Sequence, residues 1–399
     1  MRTCGTVWLT GAHIVDVDEG AVLRDRSVRV EDGVIAEIGT ATPPPGARVI
    51  DVAGRYLLPG LISCHTHLSL VVPFSDLDPT EPGVLTSFRA AQRAHEALRA
   101  GLTTLRCVHE QNRVDMFLRE AIGRGWFRGP RIFGAGQAIT TPNGHGSGSD
   151  CVVASGGEEF YRAALAELSA GADHVKVFIN GGLAAEGEDV TASEMSDEEL
   201  AGTVRAAREH DAYVVAHSGH STAIRQALAQ GVRSFEHAYD LDEDTARLLA
   251  ASDAFVTPTL CVTRSEPWMR AHDFAEATIE NAQKQNVTHL RSVRNAIAAG
   301  VRLVNGTDIP PGDDVGGVPA AIYELLLMHE AGLDRLTALR SITTTAARLL
   351  RADDRIGRIA PGFAGDFVAV AEDPLADLAA VREISLVIQA GEVIREDLR

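Results

Sequence analysis

The sequence predicts an α/β fold built around an eight-unit (β/α)8 barrel, also called a TIM barrel. Strand-like and helix-like segments alternate through the middle of the chain, and eight strand candidates can be counted there. The segments on either side contain only short strands and turns. Alternating strands and helices predict a parallel sheet with right-handed crossovers. Eight such units fit a closed barrel better than an open sheet, and such barrels carry their chemistry at the C-terminal ends of the strands.

The two ends of the chain predict a small β unit. Short strands such as Val7-Trp-Leu-Thr and Ile14-Val-Asp-Val alternate with Gly- and Pro-containing turns, and the C-terminal stretch has the same texture. Neither end is long enough to bury a good core alone. We therefore expect residues 1–55 and 356–399 to form one composite domain, with the barrel at 56–355 between its two halves.

The eight strand candidates occupy residues 56–67, 103–108, 131–139, 174–179, 212–217, 234–237, 254–259 and 301–308. Helical stretches separate most of them, at residues 87–100, 158–170, 197–209 and 222–230. Several helices end in Ala-Gly or Gln-Gly, because glycine adopts the left-handed conformation of a helix C-cap without strain. The segment 261–290 is polar and long for a barrel loop, so we expect a lid or an extra helix there.

Composition and charge disfavour several classes of function. The chain has 399 residues and a net charge of −18, which argues against nucleic acid or an anionic membrane as the main partner. No run approaches the roughly 20 apolar residues of a membrane helix, and the N-terminal segment does not suit a signal peptide. Five scattered cysteines predict neither a disulfide framework nor a zinc knuckle. We expect a cytoplasmic protein with a small-molecule substrate, and homo-oligomerisation stays open.

Metal-compatible side chains close five of the predicted strands. His65 and His67 are two residues apart, so they point to the same side of the first strand and can chelate one metal. His217, His237 and Asp308 close the fifth, sixth and eighth strands. Each alone is more often a core, surface or capping residue, but the joint pattern favours a metal site.

Lys176, on the fourth strand, is the most informative member of this set. It lies in His174-Val-Lys-Val-Phe-Ile, which otherwise predicts a buried strand, and alternation puts it on the polar, inward face. A bare ammonium there costs on the order of several kcal/mol unless it is compensated. A lysine that has reacted with carbon dioxide would reach a two-metal site as an anionic carbamate. A buried lysine that is paired with a carboxylate, or that acts as a base, is the alternative.

With these residues in place, the chain resembles the amidohydrolase superfamily, and within it the imidazolonepropionase-related and Xaa-Pro dipeptidase-like branch. Pro59-Gly-Leu-Ile-Ser-Cys-His-Thr-His resembles the first-strand motif of that family. His174-Val-Lys-Val-Phe-Ile-Asn-Gly-Gly resembles its carboxylated-lysine strand, and Phe235-Glu-His and Asn305-Gly-Thr-Asp resemble its sixth and eighth strands. The tail from Gly357 is similar to the return into the family's small β-sandwich, which the two chain ends would form here.

The resemblance implies a binuclear metal centre with a carboxylated lysine. Two divalent ions, with zinc expected, would be shared by six ligands: His65, His67, Lys176, His217, His237 and Asp308. A metal-bridging hydroxide would attack an amide carbonyl, with Asp308 as general base and then general acid. The predicted function is hydrolysis of the C–N bond of dipeptides or N-acyl amino acids.

Three further residues are candidates for substrate binding, because each would lie at the active face of the barrel. His145 lies in a Gly-rich loop after the third strand, Tyr239 follows the sixth strand, and Arg264 follows the seventh. A loop residue, a packed tyrosine and a solvated arginine are the respective alternatives. Arg106 and His220 are weaker candidates for the same role.

Other functions stay open. A one-metal cyclic-amide hydrolase or deaminase would keep the histidines and the aspartate but lack the bridging lysine, so Lys176 argues against it. The same two-metal hydroxide could also attack a carbamate, a urea or a lactone. A catalytically dead scaffold would have lost metal ligands, and this chain has lost none.

Overall fold

The computed structural model describes residues 5–183 and 188–398, in which strands and helices alternate as expected. The strands are β1 (Val7–Asp16), β2 (Ala21–Glu31), β3 (Val34–Gly39), β4 (Arg48–Asp51), β5 (Tyr56–Pro59), β6 (Leu61–Thr66), β7 (Leu102–Cys107), β8 (Arg131–Gly134), β9 (Ile139–Thr140), β10 (Val152–Val153), β11 (Val175–Phe178), β12 (Val214–His220), β13 (Ser234–Asp240), β14 (Phe255–Thr257), β15 (Arg302–Leu303), β16 (Asp314–Val315), β17 (Val318–Pro319), β18 (Phe367–Val370), β19 (Ile384–Gln389) and β20 (Glu392–Glu396).

The α-helices lie mainly between the strands of the central region. They are α1 (Gly83–Arg99), α2 (Val114–Gly123), α3 (Gly157–Ala170), α4 (Asp197–Glu209), α5 (Ser221–Gln230), α6 (Glu243–Ala251), α7 (Cys261–Arg264), α8 (Glu266–Ala271), α9 (Glu276–Ala299), α10 (Ala320–Glu330), α11 (Arg335–Ser341) and α12 (Thr344–Leu349). Short 3-10 helices occupy Phe74–Asp76, Gln111–Arg113 and Leu378–Arg382. None of the helices in the described ranges is long and apolar enough to cross a membrane.

Strands from both ends of the chain pair in one eight-stranded sheet. Its order is β20-β19-β18-β5-β1-β2-β3, and β4 pairs with β1. Antiparallel pairing of β5 with β18 puts Tyr56 opposite Val370. The inward side chains of this sheet, among them Leu9, Leu57 and Phe367, form an apolar core of their own. The domain boundaries at 1–55, 56–355 and 356–399 stay a prediction.

The predicted first barrel strand, 56–67, is two strands with different partners. Its first part, β5, belongs to the eight-stranded sheet, and β6 continues into the barrel region. Gly60 lies between them. Only glycine fits at this position, because a Cβ there would stand 2.2 Å from Thr103 Oγ1 and 2.8 Å from Asp366 Cβ. Glycine therefore permits the close crossing of the two units at this point.

The barrel region consists of parallel sheets of three and seven strands. Their orders are β6-β7-β8 and β10-β9-β11-β12-β13-β14-β15. Backbone hydrogen bonds cross both gaps, from Asp173 N to Gly134 O at 2.8 Å and from Cys64 N to Asn305 O at 2.7 Å. The described strands therefore adopt a barrel-like α/β arrangement, although strand pairing alone does not make them one closed ring.

The helices begin and end near their predicted positions because local signals mark their ends. A capping box of Ser196 and Glu199 starts α4. Left-handed glycines end α3, α5 and α9, with φ of 110° at Gly171, 100° at Gly231 and 78° at Gly300. The long segment 261–290 contains α7, α8 and the larger part of α9, so the expected extra helix is present.

Candidate active site

Three residues form a group whose geometry suits a metal ion. His65 lies on β6, His67 follows that strand, and Asp308 lies in the loop after β15. The Nε2 atoms of His65 and His67 stand 3.2 Å and 3.0 Å from the same atom, Asp308 Oδ1. One ligand atom from each residue lies within 4.8 Å of the others. Two imidazoles and a carboxylate at such separations are a donor set that zinc accepts.

Two more histidines lie against this group. The rings of His217 on β12 and His237 on β13 have centroids 4.5 Å apart, and the His237 ring lies 5.0 Å from that of His65. Both imidazoles are buried, which lowers their pKa values well below the ordinary value and keeps the rings neutral. Neutral imidazole is the form that binds metal.

Lys176 is buried on β11, with 2% of its surface exposed. Its neighbours Val175 and Val177 pack into the main core, so Lys176 points to the opposite, inner face, as alternation predicts. Burial lowers its pKa to about 8, against the opposing effects of Glu236 and Asp308. Within the described residues, its Nζ has no hydrogen bond or ion pair, and the ring of Phe178 lies 5.4 Å away.

Hydrogen bonds fix which nitrogen of each histidine is free. His67 Nδ1 lies 2.8 Å from the carbonyl of His109, so it must donate, and Nε2 keeps its lone pair. His65 Nδ1 lies 2.7 Å from Glu236 Oε2, which leaves Nε2 free in the same way. His217 has the reverse arrangement, because its Nε2 lies 3.2 Å from the carbonyl of Gly181. Such partners orient metal ligands in proteins.

Glu236 is a functional residue that the sequence analysis missed. Its carboxylate is fully buried and accepts hydrogen bonds from His65 Nδ1, from Arg106 Nη2 at 2.8 Å and from Ser234 Oγ at 2.6 Å. Burial alone would raise the pKa of Glu236, but Arg106 and His65 hold it well below its usual range. The signal was available, since Glu236 is a charged residue in a buried strand, as Lys176 is.

Arg106 faces the interior rather than a substrate. Its guanidinium is fully buried and donates to Glu236, to Ser234 Oγ at 3.0 Å, to Thr257 Oγ1 at 3.2 Å and to the Cys64 carbonyl. All its partners are protein groups beneath the histidines. The weaker expectation of substrate binding by Arg106 therefore finds no support, and its role is to support Glu236.

Glu110 fixes the chain just after the His-x-His pair. Its carboxylate accepts hydrogen bonds from the backbone N–H groups of Leu68 and Ser69, both at 2.6 Å, and from Ser69 Oγ at 2.5 Å. The carbonyl of the preceding residue, His109, holds the His67 ring. These two adjacent residues together set the position of His67.

The backbone is left-handed at two of the candidate ligands. His237 has φ of 66° and Asp308 has φ of 60°. Non-glycine residues adopt this region at a cost of roughly 1 kcal/mol or more, and they concentrate at functional sites. The eighth predicted strand, 301–308, is regular only over β15, so Asp308 lies in the loop beyond it.

Asp308 is ionised in this setting. Burial alone would raise its pKa, but the adjacent imidazoles of His65 and His67 hold it well below the ordinary value. Its carboxylate lies at the boundary between the histidines and a pocket that it helps to line. It can therefore act both as a ligand and as a proton acceptor.

A pocket of about 540 Å³, its open mouth included, adjoins the candidate ligands. His217, Asp308 and two of the predicted substrate-binding residues, His145 and Tyr239, line it. His145 stacks on the His217 ring at 4.4 Å, and its Nδ1 lies 2.6 Å from Glu188 Oε2. Both predicted residues are thus within the site, although their contact with a substrate stays a prediction.

Arg264, the third predicted substrate-binding residue, is not brought to this pocket. The lining includes Val262 and Ser265 on either side of it but not Arg264. Its Nη2 pairs with Glu330 Oε1 at 2.8 Å. On a short helix such as α7, neighbouring side chains point in different directions, and the sequence position alone did not resolve this.

Comparison with known proteins agrees with this arrangement. The sequence model of the Amidohydrolase family matches residues 56–394. Ochratoxinase from Aspergillus niger is 25% identical over 92% of this chain and 81% of its own length. Imidazolonepropionase from Cupriavidus taiwanensis is 26% identical over 97% of this chain and 95% of its own length.

Solved structures give the same result for the fold. A prolidase complexed with N-methylphosphonate-L-proline superposes with a TM-score of 0.89 at 26% identity, over 98% of this chain and 100% of that chain. A likeness of this extent implies the TIM-barrel-like α/β fold of that structure. Since the family model covers most of the chain, and hydrolases stand among the relatives, this protein is a hydrolase that belongs to the Amidohydrolase family.

Proposed function

We propose that this protein is a metal-dependent amidohydrolase that cleaves the amide bond of dipeptides or N-acyl amino acids. One observation carries the proposal: the Nε2 atoms of His65 and His67 converge on Asp308 next to a buried lysine and two neutral histidines. We also infer that the two parallel sheets close into one eight-unit barrel, supported by the hydrogen bonds across both gaps.

The donor set fits two divalent ions, with zinc expected. His65, His67 and Asp308 would hold one ion, and His217 and His237 would hold the other. Lys176, once carboxylated, would add anionic oxygen ligands to this set. When bound, the ions would polarise the scissile carbonyl and lower the pKa of the attacking water.

The state of Lys176 supports its carboxylation. The neutral amine attacks carbon dioxide, forms an N–C bond and releases one proton, which gives a carbamate anion. A pKa of about 8 leaves a useful fraction of the amine neutral near pH 7. Lys176 also lacks a carboxylate partner at bonding distance among the described residues, so an anionic carbamate would displace no existing ion pair.

The remaining residues have distinct roles in the proposed reaction. Asp308, held ionised, accepts a proton from the attacking water and returns it to the leaving nitrogen. His145, with Nδ1 directed at Glu188, presents Nε2 for a substrate oxygen. Tyr239 offers a phenol whose pKa is raised well above the ordinary value by burial, so it stays a donor.

A one-metal hydrolase of a cyclic amide is the second candidate. The observation that favours it is that His65, His67 and Asp308 form a three-ligand group without Lys176. Imidazolonepropionase is also among the relatives. In this case Lys176 would be a structural or substrate-contacting residue.

Metal content decides between the two candidates. The protein would be expressed with added zinc and bicarbonate and its metal measured per chain. Close to two ions supports the binuclear proposal, and close to one supports the second candidate.

The carbamate can be tested separately with 13C-bicarbonate, because the chain has only two lysines, Lys176 and Lys284. We expect one 13C carbamate signal, which is lost in Lys176→Ala and kept in Lys284→Ala.

A further inference from the structure

The pocket next to the candidate ligands has a polar side and an apolar side. The polar side holds His145, His217, Tyr239 and Asp308. The rest of the lining is mainly apolar: Phe74, Leu183, Val262, Trp268, Met269, Phe274, Ala282 and Ile309 are joined by the hydroxyl residues Ser265 and Thr278. A pocket divided in this way matches a ligand with a reactive polar end and a large apolar group.

Three aromatic residues from separate parts of the chain meet on the apolar side. The rings of Phe74 and Phe274 are 5.5 Å apart and nearly perpendicular, and the Trp268 ring lies 5.6 Å from Phe274. Trp268 is held in place, since its Nε1 donates to Asp313 Oδ2 at 3.1 Å and its ring packs on His272 at 4.4 Å. The aromatic wall, defined as Phe74, Trp268 and Phe274, is therefore preformed.

The mainly apolar side offers no charged partner to a substrate. Among the described residues that line the pocket, there is no arginine or lysine, and Asp308 is the one carboxylate. A charged substrate group placed against the aromatic wall would lose its water without gaining a partner. An aromatic group would gain edge-to-face contacts in addition to burial of its area.

We propose that the natural substrate carries a bulky, uncharged aromatic group that packs against the aromatic wall while its scissile bond faces Asp308. This inference rests on the proposed amide hydrolysis and names its substrate class. Phe74, Trp268 and Phe274 then determine specificity without taking part in the chemistry. These three residues lie in the long segment 261–290 and in the loop after β6, outside the strands that carry the candidate ligands. Substitutions among them can therefore change specificity without moving those ligands.

A binding experiment tests the aromatic wall independently of catalysis. Benzyl alcohol is titrated into the full-length, zinc-supplemented protein and followed by saturation-transfer NMR. Trp268→Ala is expected to weaken its binding about tenfold. The matched control is Trp126→Ala, since Trp126 is 73% exposed and does not line the pocket. Equal binding by wild type and Trp268→Ala would overturn the inference.

A second pair of variants covers the case in which Trp268→Ala does not fold. Phe74→Leu removes one ring of the wall, and Phe117→Leu makes the same change at a position that is 62% exposed. Weaker benzyl alcohol binding in the first variant alone supports the inference. The same affinity in both variants contradicts it.

Hydrolysis then separates this inference from the proposed function. N-acetyl-L-phenylalanine is expected to show a kcat/KM at least about tenfold above that of N-acetyl-L-alanine, with N-acetyl-L-glutamate below both. Hydrolysis of all three at equal rates would overturn the aromatic preference and keep the amidohydrolase. Binding of benzyl alcohol that depends on Trp268, without cleavage of any amide, would support the pocket assignment while the proposed function fails.

Discussion

At the scale of single residues, Lys176 has the largest predicted effect. We expect Lys176→Ala to lose metal and activity together, because the variant cannot form the carbamate that would join the two ion sites. A short carboxylic acid such as propionate, added with zinc, should restore part of both. The measurements are metal per chain and turnover, with and without propionate.

Lys284 provides the control for that prediction. Its side chain is 73% exposed on α9 and pairs with Glu280 at 3.8 Å. Lys284→Ala should therefore keep the metal and the turnover of the wild-type protein. Wild-type turnover in Lys176→Ala itself would exclude a bridging role for Lys176.

Glu236 is the residue whose loss should most affect stability. Glu236→Ala would leave the Arg106 guanidinium buried without its carboxylate partner, and we expect a loss of about 3–5 kcal/mol in the free energy of unfolding. Urea denaturation followed by circular dichroism measures it. Glu330→Ala, which breaks the more exposed pair with Arg264, should cost less than about 1 kcal/mol. Similar losses of unfolding free energy in Glu236→Ala and Glu330→Ala would contradict the importance of the buried pair.

The direction of a side chain could be predicted from sequence where the alternation within a single strand determined it. Alternation along the strand was enough to place Lys176 on the inner face. Glu236 was missed because its importance comes from Arg106, a partner 130 residues away in the sequence. Arg264 was expected at the pocket because it follows a strand end, yet the turn of α7 directs it to Glu330.

At the scale of elements, one buried carboxylate links helix α10 to the start of α7. Glu324 accepts hydrogen bonds from the backbone N–H groups of Leu260 at 2.9 Å and Cys261 at 2.8 Å. Burial raises its pKa from 4.5 to about 7. The folded protein therefore holds a proton on Glu324 over a pH range in which the unfolded chain has lost it.

This difference predicts a pH dependence of stability. Between about pH 4.5 and 7 Glu324 binds more protons in the native state than in the unfolded chain, so its own contribution to the free energy of unfolding falls as pH rises. The buried imidazoles of His217 and His237, whose pKa values are lowered, act in the opposite direction. The contribution of Glu324 over that range is up to about 3 kcal/mol. The free energy of unfolding of the wild type minus that of Glu324→Gln should therefore fall between pH 5 and 7 in urea titrations at pH 5, 6, 7 and 8. A constant difference over that range would contradict this role of Glu324.

Helices were easier to predict than short strands. Their ends carry local signals, such as the capping box at Ser196 and the glycine at position 231. Strands β9 and β15 are only two residues long, and their pairing partners lie on distant segments. An apolar run cannot reveal where such pairing stops, so strands three and eight were predicted too long.

At the scale of the whole molecule, Gly60 marks the contact between the eight-stranded sheet and the barrel region. Gly60→Ala should lower the free energy of unfolding by about 1–3 kcal/mol, because its Cβ would overlap Thr103 and Asp366, both buried. Thermal denaturation provides the measurement. Gly123→Ala is the matched control, since a Cβ there meets nothing within 4 Å. A larger loss in the control would refute the packing argument.

The pairing of β5 with β18 has a consequence for synthesis of the protein. Tyr56 leaves the ribosome more than 300 residues before its partner Val370. At about 5–20 residues per second, the edge of β5 waits roughly 15–60 s for its neighbour. An unpaired strand edge is a template for aggregation during that time. The nascent chain therefore depends on shielding, by chaperones or by its own early hairpins, until the final tenth of the protein has been made.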